Sequence, residues 1–194
     1  AVRRLFMPSP SDQEFTDAAC TASARLKALA AGDKAALATA EDEGPITALM
    51  VACRTRRADV AEALVGSSAI DKQSDGGFTA LCLAAEEGDE RIVRMLLEKR
   101  ADVSLASSGG MTSLRWASLN GHEPCVKLLL EAKASVDQPT NNGTTSLFVA
   151  SALGHEGCVK LLVEAKASVD QADNDGGAGR GGASRSGHEA CVKR

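Results

Sequence analysis

The sequence predicts an all-α repeat solenoid, a stack of helix-turn-helix pairs joined by turn or hairpin loops, and three observations carry that prediction. Residues 121–138, GHEPCVKLLLEAKASVDQ, return at 154–171 as GHEGCVKLLVEAKASVDQ, with two mismatches in eighteen positions at an offset of 33, and GHEACVK comes back at 187–193. A fixed period near thirty marks a chain built from small stacked units, none of which can bury its apolar face alone. Aromatics are limited to one Trp and four Phe in a chain dominated by Ala, Leu and Val, which suits closely packed helices better than a sheet sandwich. In ERIVRMLLEKR, Ile92, Val93, Leu96 and Leu97 recur at i, i+1, i+4 and i+5, one apolar stripe at helical spacing.

The elements follow in order. Residues 1–10 read as a flexible leader. Ser11-Asp-Gln-Glu14 has capping-box spacing and opens an Ala-rich stretch to Ala31, and a second short helix follows Gly32-Asp33, so 11–44 is expected to be a helical cap over the apolar flank of the first repeat. Thr47-Ala-Leu-Met50, Thr79-Ala-Leu-Cys82, Thr112-Ser-Leu-Arg115 and Thr145-Ser-Leu-Phe148 then start four units, 45–77, 78–110, 111–143 and 144–177. Each runs through a short apolar helix such as LCLAAEEG, turns at Gly88, Gly121 or Gly154, and continues into a second helix. A fifth unit at 178–194 is degenerate or truncated, because GAGRGGASRSG lacks the Thr, the Leu and the Ala pair; 172–194 is expected to be poorly ordered.

Period, helix pair and Gly-His turn together make residues 45–177 resemble the ankyrin-repeat family, whose unit is a β-turn plus two antiparallel helices with a T-P-L-H-x-A pattern. The chain departs from that pattern in definite ways. The family's Pro is replaced by Ala48, Ala80, Ser113 and Ser146, and its His by Met50, Cys82, Arg115 and Phe148, which removes the family's Thr–His contact. Arg100, Lys133 and Lys166 stand at the helix end where the family usually has Gly. If those backbones are left-handed, each costs on the order of 1 kcal/mol.

Composition narrows the function classes. The net charge is −4 and the isoelectric point near 5.4, so no overall basic field draws the chain to nucleic acid or an anionic membrane. No stretch approaches the roughly twenty apolar residues of a spanning helix, and AVRRLFMPSP is not a signal peptide. Six cysteines would suit disulfides in a secreted domain, but equivalent cysteines one repeat apart lie beyond the roughly 7 Å a bridge allows. Reduced thiols in an intracellular protein, cytoplasmic or nuclear, are expected.

Candidate chemistry is sparse. His122-x-x-Cys125, His155-x-x-Cys158 and His188-x-x-Cys191 have a spacing that could hold a soft metal. Repeats stack about 10 Å apart, however, against metal bonds of about 2 Å, so each pair supplies only two of four ligands. No metal site is expected; the cysteines read as small hydrophobes at the position of Val60 and Ile92, and the histidines as parts of the turn. Gly177-x-Gly179-x-x-Gly182 lacks the strand and helix a dinucleotide fingerprint requires, and Asn142-Gly143-Thr144 is a glycosylation sequon in form that reads more simply as a turn. There is no GxSxG elbow, Walker lysine or HExxH motif, so neither a catalytic residue nor a cofactor is expected.

The resemblance implies contacts through the β-turn tips and the exposed side of each first helix. It transfers to Asp75, Asn142 and the residues before each Thr, Phe78, Met111 and Thr144, and on the first helices to Arg54, Glu86, Glu87, Leu119, Asn120 and Leu153. These positions differ between repeats while the stripe does not, which is what a binding face shows and also what an unconstrained surface shows. Trp116 falls where Leu83 and Val149 sit and reads as core. The expectation is a monomeric, non-catalytic module that holds a protein partner on its concave face. The alternative is a targeting or regulatory arm of a larger enzyme or ligase whose working domain lies outside these residues.

Overall fold

The computed structural model describes residues 46–66 and 70–169. The segments read from sequence as leader, N-terminal cap and degenerate fifth unit lie outside the described residues. Within them are eight helices in four pairs: α1 Ala48–Arg54 and α2 Ala58–Leu64, α3 Ala80–Glu87 and α4 Glu90–Glu98, α5 Ser113–Asn120 and α6 Glu123–Glu131, α7 Ser146–Leu153 and α8 Glu156–Glu164. Each first helix starts the same way. Thr47, Thr79, Thr112 and Thr145 are extended, and their hydroxyls accept a hydrogen bond from the amide three residues on, at Met50, Cys82, Arg115 and Phe148. The repeated Thr is therefore an N-cap, satisfying one of the donors a helix start leaves open.

The first helices form an inner row, α1, α3, α5 and α7, each packed on the next, and the second helices form an outer row in the same order. The inner row is buried almost all round. Leu81, Leu83, Ala84 and Ala85 of α3 and Leu114, Trp116 and Ala117 of α5 are at most 3% exposed. The outer row buries only its stripe, Ile92, Val93 and Leu96 in α4 and Cys125, Val126 and Leu129 in α6. One apolar core thus runs unbroken from Ala48 to Ala167.

Two backbone devices fix the spacing between repeats. Gly88, Gly121 and Gly154 end the inner helices in the left-handed conformation at φ 74–76°, where glycine alone adds no steric cost. The next repeat's histidine closes over two of them. His122 Nε2 donates to the Glu86 carbonyl at 3.0 Å and His155 Nε2 to the Leu119 carbonyl at 3.1 Å. A β-carbon on Gly121 would stand 2.5 Å from the His155 ring. Arg100, Lys133 and Lys166 are left-handed as well, at φ 64–67°, and Arg56 joins them at 57°. The penalty anticipated for three non-glycine residues therefore applies to four.

Hairpin loops link the pairs. Ser74, Ser107 and Thr140 donate their amides to the carbonyls of Phe78, Met111 and Thr144, and each loop leans on its neighbour through Ser108 N to Gly76 O and Asn141 N to Gly109 O. Asp71 accepts from the Asp102 amide and Asp137 from the Ser168 amide, tying successive loops together lower down.

Gly121→Ala combines a left-handed alanine with a clash against His155 and is expected to destabilise the fold by about 2 kcal/mol or more. Lys133→Gly is expected to be neutral or to stabilise by up to about 1 kcal/mol, since relief of strain competes with greater freedom of the unfolded chain. Urea midpoints of the two variants against the parent measure both.

Candidate functional site

The residues that the sequence comparison brings forward divide sharply once placed. Asp75 and Asn142 are exposed at hairpin tips, and Glu87, Asn120 and Leu153 are half-buried in register at the ends of α3, α5 and α7. Phe78, Met111, Leu119, Thr144 and Glu86 are buried, at 8%, 2%, 5%, 4% and 4% exposure. As an exposed contact surface these five positions are corrected. Residue-to-residue variation there records how one repeat fits the next.

Each buried residue has a definite task inside the stack. Phe78 packs its ring on Trp116 of the following repeat, centroids 5.7 Å apart and tilted by 39°. Leu119 lends its carbonyl to His155. Glu86 takes the Arg54 guanidinium at 2.6 Å, with Glu87 at 3.3 Å on the same nitrogen. The basic and acidic ends of the predicted face therefore neutralise each other across the first repeat boundary. The Glu86 carbonyl also accepts from Asn120 Nδ2 at 3.1 Å, so one residue anchors side chains of two neighbouring repeats.

Met111 and Thr144 serve a feature that the sequence pattern did not single out. Arg115 is 1% exposed, with Nε 3.0 Å from Met111 Sδ, Nη2 donating to Thr144 Oγ1 at 2.7 Å and Nη1 donating to the Thr145 carbonyl at 2.6 Å. Among the described residues no carboxylate pairs with it. Burial lowers its pKa to about 10, which leaves it charged at neutral pH. The signal that could have found it was the lone Arg among Met50, Cys82 and Phe148 at the family's His position.

The cysteines are core atoms. Cys53, Cys82, Cys125 and Cys158 are free thiols at most 1% exposed. Burial raises the pKa of all four, to about 11 for Cys125 and about 12 for Cys158, so the nucleophilic thiolate is suppressed. His122 and His155 spend Nε2 on carbonyls of the preceding repeat. Among the described residues no group of three or more His, Cys, Asp or Glu gathers at one point, and no helix is long and apolar enough to cross a membrane. The arrangement leaves Asp75 and Asn142 exposed at hairpin tips and Glu87, Asn120 and Leu153 partly exposed at inner-helix ends, in a regularly spaced row.

A family model described as ankyrin repeats in three copies matches residues 17–107 and again 103–173. The match begins inside the stretch read from sequence as a helical cap. Among curated proteins, none matches the chain.

Burial pushes the His122 imidazole below its ordinary value of 6.5, against the weaker pull of the Glu86 carbonyl. The unfolded chain therefore takes up the proton first, and stability that is whole above about pH 6.5 is lost as pH falls through the lowered value. Asp89 holds the equivalent place in the preceding repeat and caps α4 through the Ile92 amide at 3.1 Å. His122→Asp is expected to fold and to flatten the dependence of the urea midpoint on pH between about 7.5 and 5; an unchanged slope would locate the proton elsewhere.

Proposed function

The chain belongs to the ankyrin-repeat family, whose repeats are in general protein–protein interaction modules, and on that premise we propose that it is a non-catalytic module that holds a protein segment along its concave side. The reading is supported by one observation above others. Asp75 and Asn142 at the hairpin tips and Glu87, Asn120 and Leu153 at the C-terminal ends of the inner helices differ from their counterparts in the other repeats and stay accessible, whereas the capping Thr and the apolar outer-helix stripe recur.

Such a surface suits an extended segment. Successive repeats place equivalent residues about 10 Å apart, roughly three residues of extended chain. Each repeat then meets a different part of the partner. Glu87, Asn120 and Leu153 run acidic, neutral polar and apolar along one line, a graded pattern that selects sequence and direction rather than charge alone.

The test exploits the repeat itself. Asp75→Ser and Leu153→Asn each install the residue that another repeat already carries at the same position, Ser108 and Asn120. Both are expected to keep the helicity and urea midpoint of the parent. Together they are expected to weaken capture of a partner isolated with the intact chain by tenfold or more. Undiminished capture by the double variant would refute this face.

A further inference from the structure

Arg115 is a buried cation without a paired carboxylate among the described residues. The residues matching Arg115 in the other repeats are Met50, Cys82 and Phe148, all buried and none charged. The site therefore accepts an apolar side chain three times in four. A guanidinium placed there gives up its hydration for three neutral acceptors, Met111 Sδ, Thr144 Oγ1 and the Thr145 carbonyl, with no carboxylate paired among the described residues. An isolated buried charge of this kind is unfavourable, and an apolar isostere is often the more stable choice.

The charge is wired to the surface. Thr144 Oγ1 accepts from Arg115 Nη2 and donates to Asn142 Oδ1 at 3.1 Å, and Thr140 Oγ1 donates to the same oxygen. Two hydroxyls thus fix the Asn142 carboxamide by its oxygen. Its Nδ2, which has no partner among the described residues, is left as a donor on an exposed residue at the loop tip, polarised by the chain of donors behind it. The start of α7 at Thr145 adds its positive end to the same place.

We propose that the loop tip at 141–143 is an acceptor site for an acidic side chain of a peptide partner, in which Asn142 Nδ2 makes the contact and Arg115 supplies the counter-charge from beneath. This rests on the partner-binding reading above and names the chemistry that one end of that surface selects. Asn142 is the contact residue, and Arg115 is a positioning and charge-supplying residue that does not itself touch the ligand. The site discriminates against neutral side chains because a carboxylate, unlike a neutral group, answers the uncompensated charge.

The experiment is an NMR titration of the full chain, at low salt and pH 7, with a capped peptide of ten glutamates and, in parallel, a capped peptide of ten glutamines. The glutamate peptide is expected to shift the Asn142 side-chain amide and the backbone amides of 141–145, and the glutamine peptide to leave them in place. Arg115→Met, which copies the residue at position 50, is expected to melt no lower than the parent and to bind the glutamate peptide at least tenfold more weakly. Asn142→Asp, which supplies an internal counter-charge, is expected to raise the melting temperature and abolish binding. Shifts centred elsewhere, equal affinity in Arg115→Met, or failure of that variant to fold would each overturn the site. The face carrying Asp75 and Leu153 is read by partner capture, so its failure and the failure of this site are told apart.

Discussion

Everything in this molecule depends on a shortage of apolar surface within each unit. A helix of seven to nine residues is too short to persist alone in water, and a pair of them has no interior in which to hide its stripe. The inner helices solve this by packing on their neighbours in sequence, so that α3 and α5 are sealed on both sides while the outer helices keep one wet face. Stability is consequently a property of the boundary between repeats. The polar contacts respect the same boundary: Arg54 to Glu86, His122 to the Glu86 carbonyl, His155 to the Leu119 carbonyl and Arg115 to Thr144 all join one repeat to the next.

That arrangement sets limits on which positions are able to vary. A residue facing a neighbouring repeat must fit it, and the recurring Thr, Leu, Ala and Gly positions are those whose fit is identical each time. Residues at the hairpin tips and inner-helix ends differ from repeat to repeat with part of their surface accessible, although Glu87 and Asn120 still reach the neighbouring repeat through Arg54 and the Glu86 carbonyl. Among the described residues the repeats therefore set differing side chains in a regularly spaced row, and equivalent groups one repeat apart do not converge on a point.

Much of this was legible in the sequence because its signals are local and repeated. The N-capping Thr recurs at 32 or 33, the left-handed Gly of the turn recurs at 33 in three of the four repeats, and both appear with the outer-helix stripe where periodicity puts them. Cys125 and Cys158 are core, as their stripe positions imply, and so is Trp116, as Leu83 and Val149 at the same repeat position imply. The site was less legible, and the reason is physical. Phe78, Met111, Leu119 and Glu86 vary between repeats as surface residues do, yet they vary because successive boundaries are filled differently: an aromatic pair at one, an ion pair at another, a buried guanidinium at a third. Variation counts differences in side chain. It does not tell a residue that meets solvent from one that meets a different neighbour, and only the three-dimensional register makes that distinction.

The claim that the core belongs to the boundaries is tested most directly by native-state hydrogen exchange on Leu114→Ala. Leu114 lies fully buried in α5, between α3 and α7. Loss of protection is expected to spread to the inner-helix amides of 81–85 and 147–151, in the repeats on either side, as strongly as along α5 itself. Loss confined to α5 and its own partner α6 would contradict the account, because each helix pair would then be holding itself together.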